Sequence, residues 1–146
     1  MCLSVIRSQK SQQKLIDKYA DEHGYLTVYK SLRQWLPKYK GEWTYRGIFF
    51  MDMGYKTGMN VSSRSNICNK RGKIYPSGFH FYISKKRAWD VSRYSCERIA
   101  VKCRVHKSWI TASGNDCNGG LTIVARKAVF PSPKNEKVIV KYRGQA

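Results

Sequence analysis

Apolar and polar positions change rhythm once along this chain. Between Ser8 and His23, Leu15, Ile16, Tyr19 and Ala20 recur at helical spacing and Gly24 supplies a stop, so the pattern predicts a helix over 8–23. From Tyr25 onward the pattern is that of strands. Tyr25–Leu32 is rich in aromatic and β-branched residues, and Trp43–Phe50 follows the Pro37–Gly41 turn. Met51–Lys73, with Gly54, Gly58 and Gly72 and many Asn and Ser, reads as a long loop with at most a short strand. Gly78–Ile83 is then a strand, Ser84 an N-cap and Lys85–Cys96 a short helix. Arg98–His106 alternates strictly. Ile99, Val101, Cys103 and Val105 take one face, while Arg98, Ala100, Lys102, Arg104 and His106 take the other, which predicts a half-buried strand with a cationic outer face. Leu121–Phe130 reads as an interior strand, broken by Pro131 and Pro133, and Val138–Tyr142 as a final edge strand. The expected fold is a single α+β domain over 1–146: an N-terminal helix, a curved and mainly antiparallel sheet body over 25–142, and one short helix after the Gly78–Ile83 strand.

Charge sharpens this outline. The 146 residues carry 28 Lys and Arg against nine Asp and Glu, a net charge of +19, and 42% of them are hydrophobic. That apolar content is too high for a disordered basic tail, and composition excludes collagen-like, mucin-like and acidic-linker proteins. The predicted helix with Arg7 holds four cations and three acids. The basicity therefore belongs to the sheet body, where a polyanion would relieve its self-repulsion. Apolar runs are far shorter than the ~20 residues of a membrane span, and Arg7 to Lys10 interrupt any signal-peptide core. Five cysteines, an odd number without a CxxC, imply free and mainly buried thiols in a reducing cytosol. A zinc set of Cys96, Cys103, His106 and Cys117 is disfavoured, because Cys103 and His106 at an odd offset on one strand face opposite sides.

Four constellations are candidates for chemistry. Arg98, Lys102 and Arg104, with His106 and Lys107, form a single-signed row that is best tolerated when phosphates sit opposite it. Lys85, Lys86 and Arg87 occupy the first turn of a helix, where cations oppose the macrodipole and free N–H groups favour an anion. Trp35, Tyr39, Trp43 and Tyr45 interleave with Arg33, Lys38, Lys40 and Arg46, as a stacking platform for single strands requires. His80 and His106 would suit RNA transesterification if their strands pair. Each has a plain alternative: a solvated face, outward-pointing side chains, core tryptophans, structural histidines. The chain has no P-loop, GxGxxG or GxSxG, and its carboxylates are too scattered for two-metal nuclease or glycosidase chemistry. No metal or cofactor is called for.

The stretch Pro76-Ser77-Gly78-Phe79-His80-Phe81-Tyr82-Ile83-Ser84, with Ala88 and the closing Gly120-Leu121-Thr122-Ile123-Val124-Ala125, resembles a strand–helix–strand module of small uncharacterised phage and bacterial accessory proteins. The resemblance implies a part in host takeover or defence evasion, in the host cytoplasm if the chain is phage-encoded. A more distant likeness is to ADP-ribosyltransferase-like folds. That chemistry needs a late catalytic glutamate, for which only Glu97 and Glu136 stand late enough.

The expected function is binding of RNA, DNA or a ribonucleoprotein. Lys85, Lys86, Arg87, Arg98, Lys102 and Arg104 would meet phosphates, Lys70, Arg71 and Lys73 would close over from the loop, and Trp35, Trp43 or Tyr82 would stack on a base. Three alternatives stay open: a small ribonuclease using His80 and His106, an inhibitor seated on an acidic or nucleic-acid-channel surface of a host protein, and a binder of an anionic nucleotide.

Overall fold

A computed structural model describes residues 3–34, 45–47, 54–62, 66–69, 71–92, 98–132 and 139–140. After a two-residue strand β1 (Val5–Ile6), helix α1 (Gln9–Tyr19) starts at Ser8, whose Oγ accepts the Ser11 N–H at 3.2 Å. The helix stops at Tyr19, short of the predicted His23. Asp21 ends it, because its Oδ1 accepts the N–H groups of both His23 and Tyr25 at 2.9 Å and offers the backbone a turn instead. Gly24 completes the turn at φ +82°, and a Cβ there would lie 2.9 Å from His106 Nε2.

Strand β2 (Tyr25–Gln34) is the spine of the sheet. Further strands are β3 (Tyr45–Arg46), β4 (Gly54–Tyr55), β5 (Gly58–Val61), β6 (Asn66–Cys68), β7 (Ile74–Pro76) and β8 (Phe79–Tyr82). Helix α2 (Lys85–Ser92) comes next, then β9 (Arg98–His106), β10 (Ile110–Asn115), β11 (Leu121–Ala125), β12 (Lys127–Phe130) and β13 (Ile139–Val140). The predicted α+β class is what forms, with every described strand pair antiparallel. The main path runs β1-β10-β11-β8-β2-β9-β12-β5, with β3, β4 and β13 attached beside it and β6–β7 forming a separate hairpin. The region read as a long loop therefore contributes β4, β5 and β6.

The stretch predicted as one strand over Leu121–Phe130 is two. The break falls at Arg126, whose N–H donates to Trp109 O and whose carbonyl accepts from Ser62 N–H. β11 and β12 are joined by that single residue, yet β8, β2 and β9 stand between them in the sheet. Only a sheet that rolls up can satisfy both conditions. Its inner face is the main core: Leu26, Val28 and Leu32 of β2, Ile99, Val101, Cys103 and Val105 of β9, Phe79 and Phe81 of β8, with Tyr45, Tyr55 and Phe130. α1 adds Leu15 to this core, and Gln12 Oε1 accepts the Ser113 hydroxyl at 3.1 Å.

The outer face has three zones. Tyr75 on the β6–β7 hairpin packs with Leu3, Ala112 and Val124 over the β10–β11 side. α2 lies over the centre, seating Ala88 on Tyr82 and Ala100 with Tyr29, Trp89 and Val91 around them. Beyond α2, toward the Tyr25 end of β2 and across β9, β12 and β5, the sheet faces solvent.

Candidate nucleic-acid interface

Register fixes what this open zone presents. Tyr25 pairs with His106, Thr27 with Arg104 and Tyr29 with Lys102, while Arg104 pairs with Val129 and Val129 in turn with Met59. Two residues along, Lys127 pairs with Val61. Because side chains alternate, Tyr25, Thr27, Lys102, Arg104, His106, Lys127, Val129, Met59 and Val61 share one face of four neighbouring strands. Arg104 and Thr27 are exposed, Lys102, Lys127, Tyr25 and His106 half-buried, and Met59 and Val61 keep 45% and 64% of their surface. None of these positions is a carboxylate.

At the centre Arg104 stands over Tyr25, its Cζ 4.3 Å from the ring centroid. His106 meets Tyr25 edge to face at 5.0 Å, and Trp109 closes on both rings at 5.9 and 5.8 Å. His106 Nδ1 accepts the Ser108 N–H at 3.2 Å and lies 2.7 Å from Ser108 Oγ, which puts the ring proton on Nε2. Asp21 borders the zone. Its carboxyl is held below the usual range chiefly by the Tyr25 N–H, with His23 and Arg104 adding charge.

The remaining predicted residues do not form one patch. Arg98 shares the outer face of β9 but sits beyond α2, separated from Lys102 by the buried Ala100, and its Nη1 donates to Val91 O at 3.3 Å. Arg87 turns from solvent to Asp116, with Nη2 3.3 Å from Oδ2 and its Cζ over the Tyr82 ring. The Tyr82 hydroxyl donates to the same carboxylate at 3.0 Å, and Tyr82 keeps only 4% exposure, so this ring is no platform for a base. Burial pushes the Asp116 carboxyl up, but the Gly120 N–H, Tyr82 and Arg87 outweigh it and pull the pKa below its ordinary value. Lys85 and Lys86 are exposed on α2, with Lys85 Nζ 5.1 Å from the Trp89 centroid; Ser84 Oγ caps the helix, accepting the Arg87 N–H at 3.3 Å. Arg71 and Lys73 are exposed on the hairpin, on the far side of α2 from Arg104. Lys70, Trp35, Trp43, Glu97 and Glu136 lie outside the described residues.

The two histidines are not brought together. The strand pairing that this chemistry would require does not occur, because β2 lies between β8 and β9. His106 is level with Tyr25, and the Tyr29–Tyr82 pair puts His80 level with Ser31. Six residues of extended chain at ~3.4 Å each place them about 20 Å apart along the sheet. His80 is buried: Nδ1 donates to Gly78 O at 3.2 Å, Nε2 accepts the Tyr75 hydroxyl at 3.0 Å, and Tyr75 Oη accepts the Leu3 N–H. Cys103 is buried, as expected of a structural thiol, and burial pushes its pKa well up; Cys68 and Cys117, by contrast, are exposed. Among the described residues no group of three His, Cys, Asp or Glu could hold a metal, and no helix is long and apolar enough to cross a membrane.

Sequence reading missed Tyr25, Trp109 and Lys127 as partners of Arg104. The alternation Tyr25-Thr27-Tyr29 against Leu26-Val28 carried part of the signal, but adjacency of β9 to β12 is a property of the rolled sheet. Comparison with protein-family models, curated proteins and solved structures returns no match for the chain.

Proposed function

We propose that this chain is a nucleic-acid-binding accessory protein whose open four-stranded face takes a single strand of RNA or DNA. The observation that carries the reading is the Arg104–Tyr25 stack, set beside His106 and Trp109 on a face with Lys102 and Lys127 and no acid among its outward positions. A guanidinium beside exposed aromatic rings is the kind of platform on which a base stacks, and the flanking lysines suit phosphates. The exposed Met59 and Val61 extend the face with apolar surface that bases, unlike phosphates, would cover. A role in host takeover or defence evasion follows from the resemblance to phage accessory proteins and is part of the proposal. The separation of His80 from His106 and the full engagement of His80 favour binding over cleavage.

Fluorescence anisotropy with a labelled single-stranded oligonucleotide tests this across a salt series. Affinity should fall steeply with salt, Arg104→Ala and Lys127→Ala should each reduce the log–log slope by about 1, and Tyr25→Ala should weaken binding with the slope kept. A flat salt response, or affinity unchanged in all three variants, refutes the reading.

A further inference from the structure

The main path of the sheet ends at β5, and register shows what this last strand offers. The Ser62 N–H donates to Arg126 O, which sets the phase of the ladder: Asn60 with Ala128 and Gly58 with Phe130 are the hydrogen-bonded pairs. Met59 and Val61 therefore turn their backbone N–H and C=O groups away from β12, toward the outer edge. Among the described residues no strand pairs with them there. Their side chains are exposed as well, on the outer face beside Val129 and Lys127.

Natural sheets blunt such an edge with lysine, proline or a bulge. β5 has none of these. Its sequence, Gly-Met-Asn-Val, is free of charge in a chain of net charge +19, and its ladder with β12 runs without a shift of register. The one polar side chain, Asn60, is buried and occupied: its Nδ2 donates to Lys56 O at 2.7 Å, and its Oδ1 accepts the Lys56 N–H at 3.2 Å. What remains outward is a strip of open peptide groups with two apolar side chains. On so basic a molecule, an uncharged strip is where a second copy meets least repulsion.

We propose that β5 pairs antiparallel with β5 of a second copy, about a two-fold axis at Asn60. The register is self-complementary. Met59 falls opposite Val61 of the second copy and Val61 opposite its Met59, and these are the residues whose peptide groups face outward, so each pair exchanges both N–H···O bonds. The side chains meet on one face as apolar cross-strand pairs. Along one level the row then reads Lys127, Val61, and Met59 and Val129 of the second copy, so no cation stands opposite another. The two Lys127 lie on strands about 14 Å apart, beyond the ~8 Å screening length of physiological salt. So short a ladder buries far less than the ~1,000 Å² of a stable interface, which makes this a weak dimer that salt strengthens. It extends the open face across the axis but does not depend on what that face binds.

The test is sedimentation equilibrium of the nuclease-treated full chain, from ~10 μM to ~1 mM protein, in about 0.05 and 0.5 M sodium chloride. A monomer–dimer equilibrium should appear, with a Kd at least ~10-fold lower at the higher salt. Val61→Lys alters a side chain that already stands in solvent, so the fold is kept, and it sets a cation into both halves of the strip; it should abolish the dimer. Val61→Thr, which keeps the β-branch without charge, should retain it. Register is read by oxidising mixed Met59→Cys and Val61→Cys chains, which should cross-link to each other faster than either does alone, the native cysteines contributing equally to all three samples. A chain that stays monomeric at ~1 mM in high salt, a Val61→Lys protein that dimerises as the wild type does, or cross-linking without preference overturns the proposal. So does growth beyond a dimer, which would mean that β5 pairs with a different edge. Oligonucleotide binding weakens with salt while this association strengthens, so failure of either reading is seen separately from the other.

Discussion

Lys30 gives the sharpest test of the core. The alternation of β2 sends it inward with Leu26, Val28 and Leu32, where its Nζ donates to His80 O at 2.8 Å and lies 5.5 and 5.8 Å from the ring centroids of Phe81 and Tyr55. Burial pushes its pKa from 10.5 down to about 8, with the nearby Cys103 opposing the shift weakly. At ~1.4 kcal/mol per pH unit, keeping the ammonium charged inside the fold costs about 3 kcal/mol. The sign follows from linkage. Below pH 8 both folded and unfolded chains hold the proton and the whole penalty is present. Between pH 8 and 10.5 the unfolded chain holds more protons than the folded one, so stability rises with pH. Lys30→Met keeps an unbranched apolar stem, removes the penalty and gives up one hydrogen bond worth about 1 kcal/mol. The variant should therefore be about 2 kcal/mol more stable at pH 7, moving a urea midpoint by roughly 1 M. By pH 10 the wild type has recovered most of its penalty and the two midpoints should converge. Urea denaturation of both proteins at pH 7, 8.5 and 10 measures this, and the difference between them cancels every other titrating group. Midpoints that stay a constant distance apart would show that the fold does not shift the Lys30 pKa and that its ammonium carries no burial penalty.

Three further outcomes are expected. Asp116→Asn removes the acceptor shared by Arg87 and Tyr82 and should cost about 1–3 kcal/mol at pH 7. Because that carboxyl's folded pKa is depressed, its stabilisation is present above its unfolded pKa and lost as pH falls through the folded one, so wild type and variant should converge in acid, as thermal melts would show. A Cβ on Gly114 would strike Val5 O and one on Gly78 would strike Ala125 O, so Gly114→Ala should free β1 to hydrogen exchange and Gly78→Ala should lower the melting temperature by several degrees. His80→Ala breaks the Leu3–Tyr75–His80 chain and should destabilise the fold by about 1–3 kcal/mol while leaving oligonucleotide affinity intact; lost affinity in a folded variant would reopen a functional role for His80.

What the sequence disclosed follows a physical divide. Period-two alternation is local, so the faces of β9 and the seating of Cys103 opposite His106 were legible from Arg98–His106 alone. Helix α1 overran in the reading because apolar spacing continues through Tyr19 and Ala20, whereas its end is set by the Asp21 side chain capturing two backbone N–H groups. The reading of Leu121–Phe130 as one strand failed for a non-local reason, since Arg126 bends the chain to meet Trp109 and Ser62 on different neighbours. The same holds for the basic row on β9. Ala100 standing among Arg98, Lys102 and Arg104 was the available sign that something packs there, but only the fold shows Ala88 of α2 filling the place. His80 alternates outward like an exposed residue, and its burial depends on Tyr75 arriving from a separate hairpin.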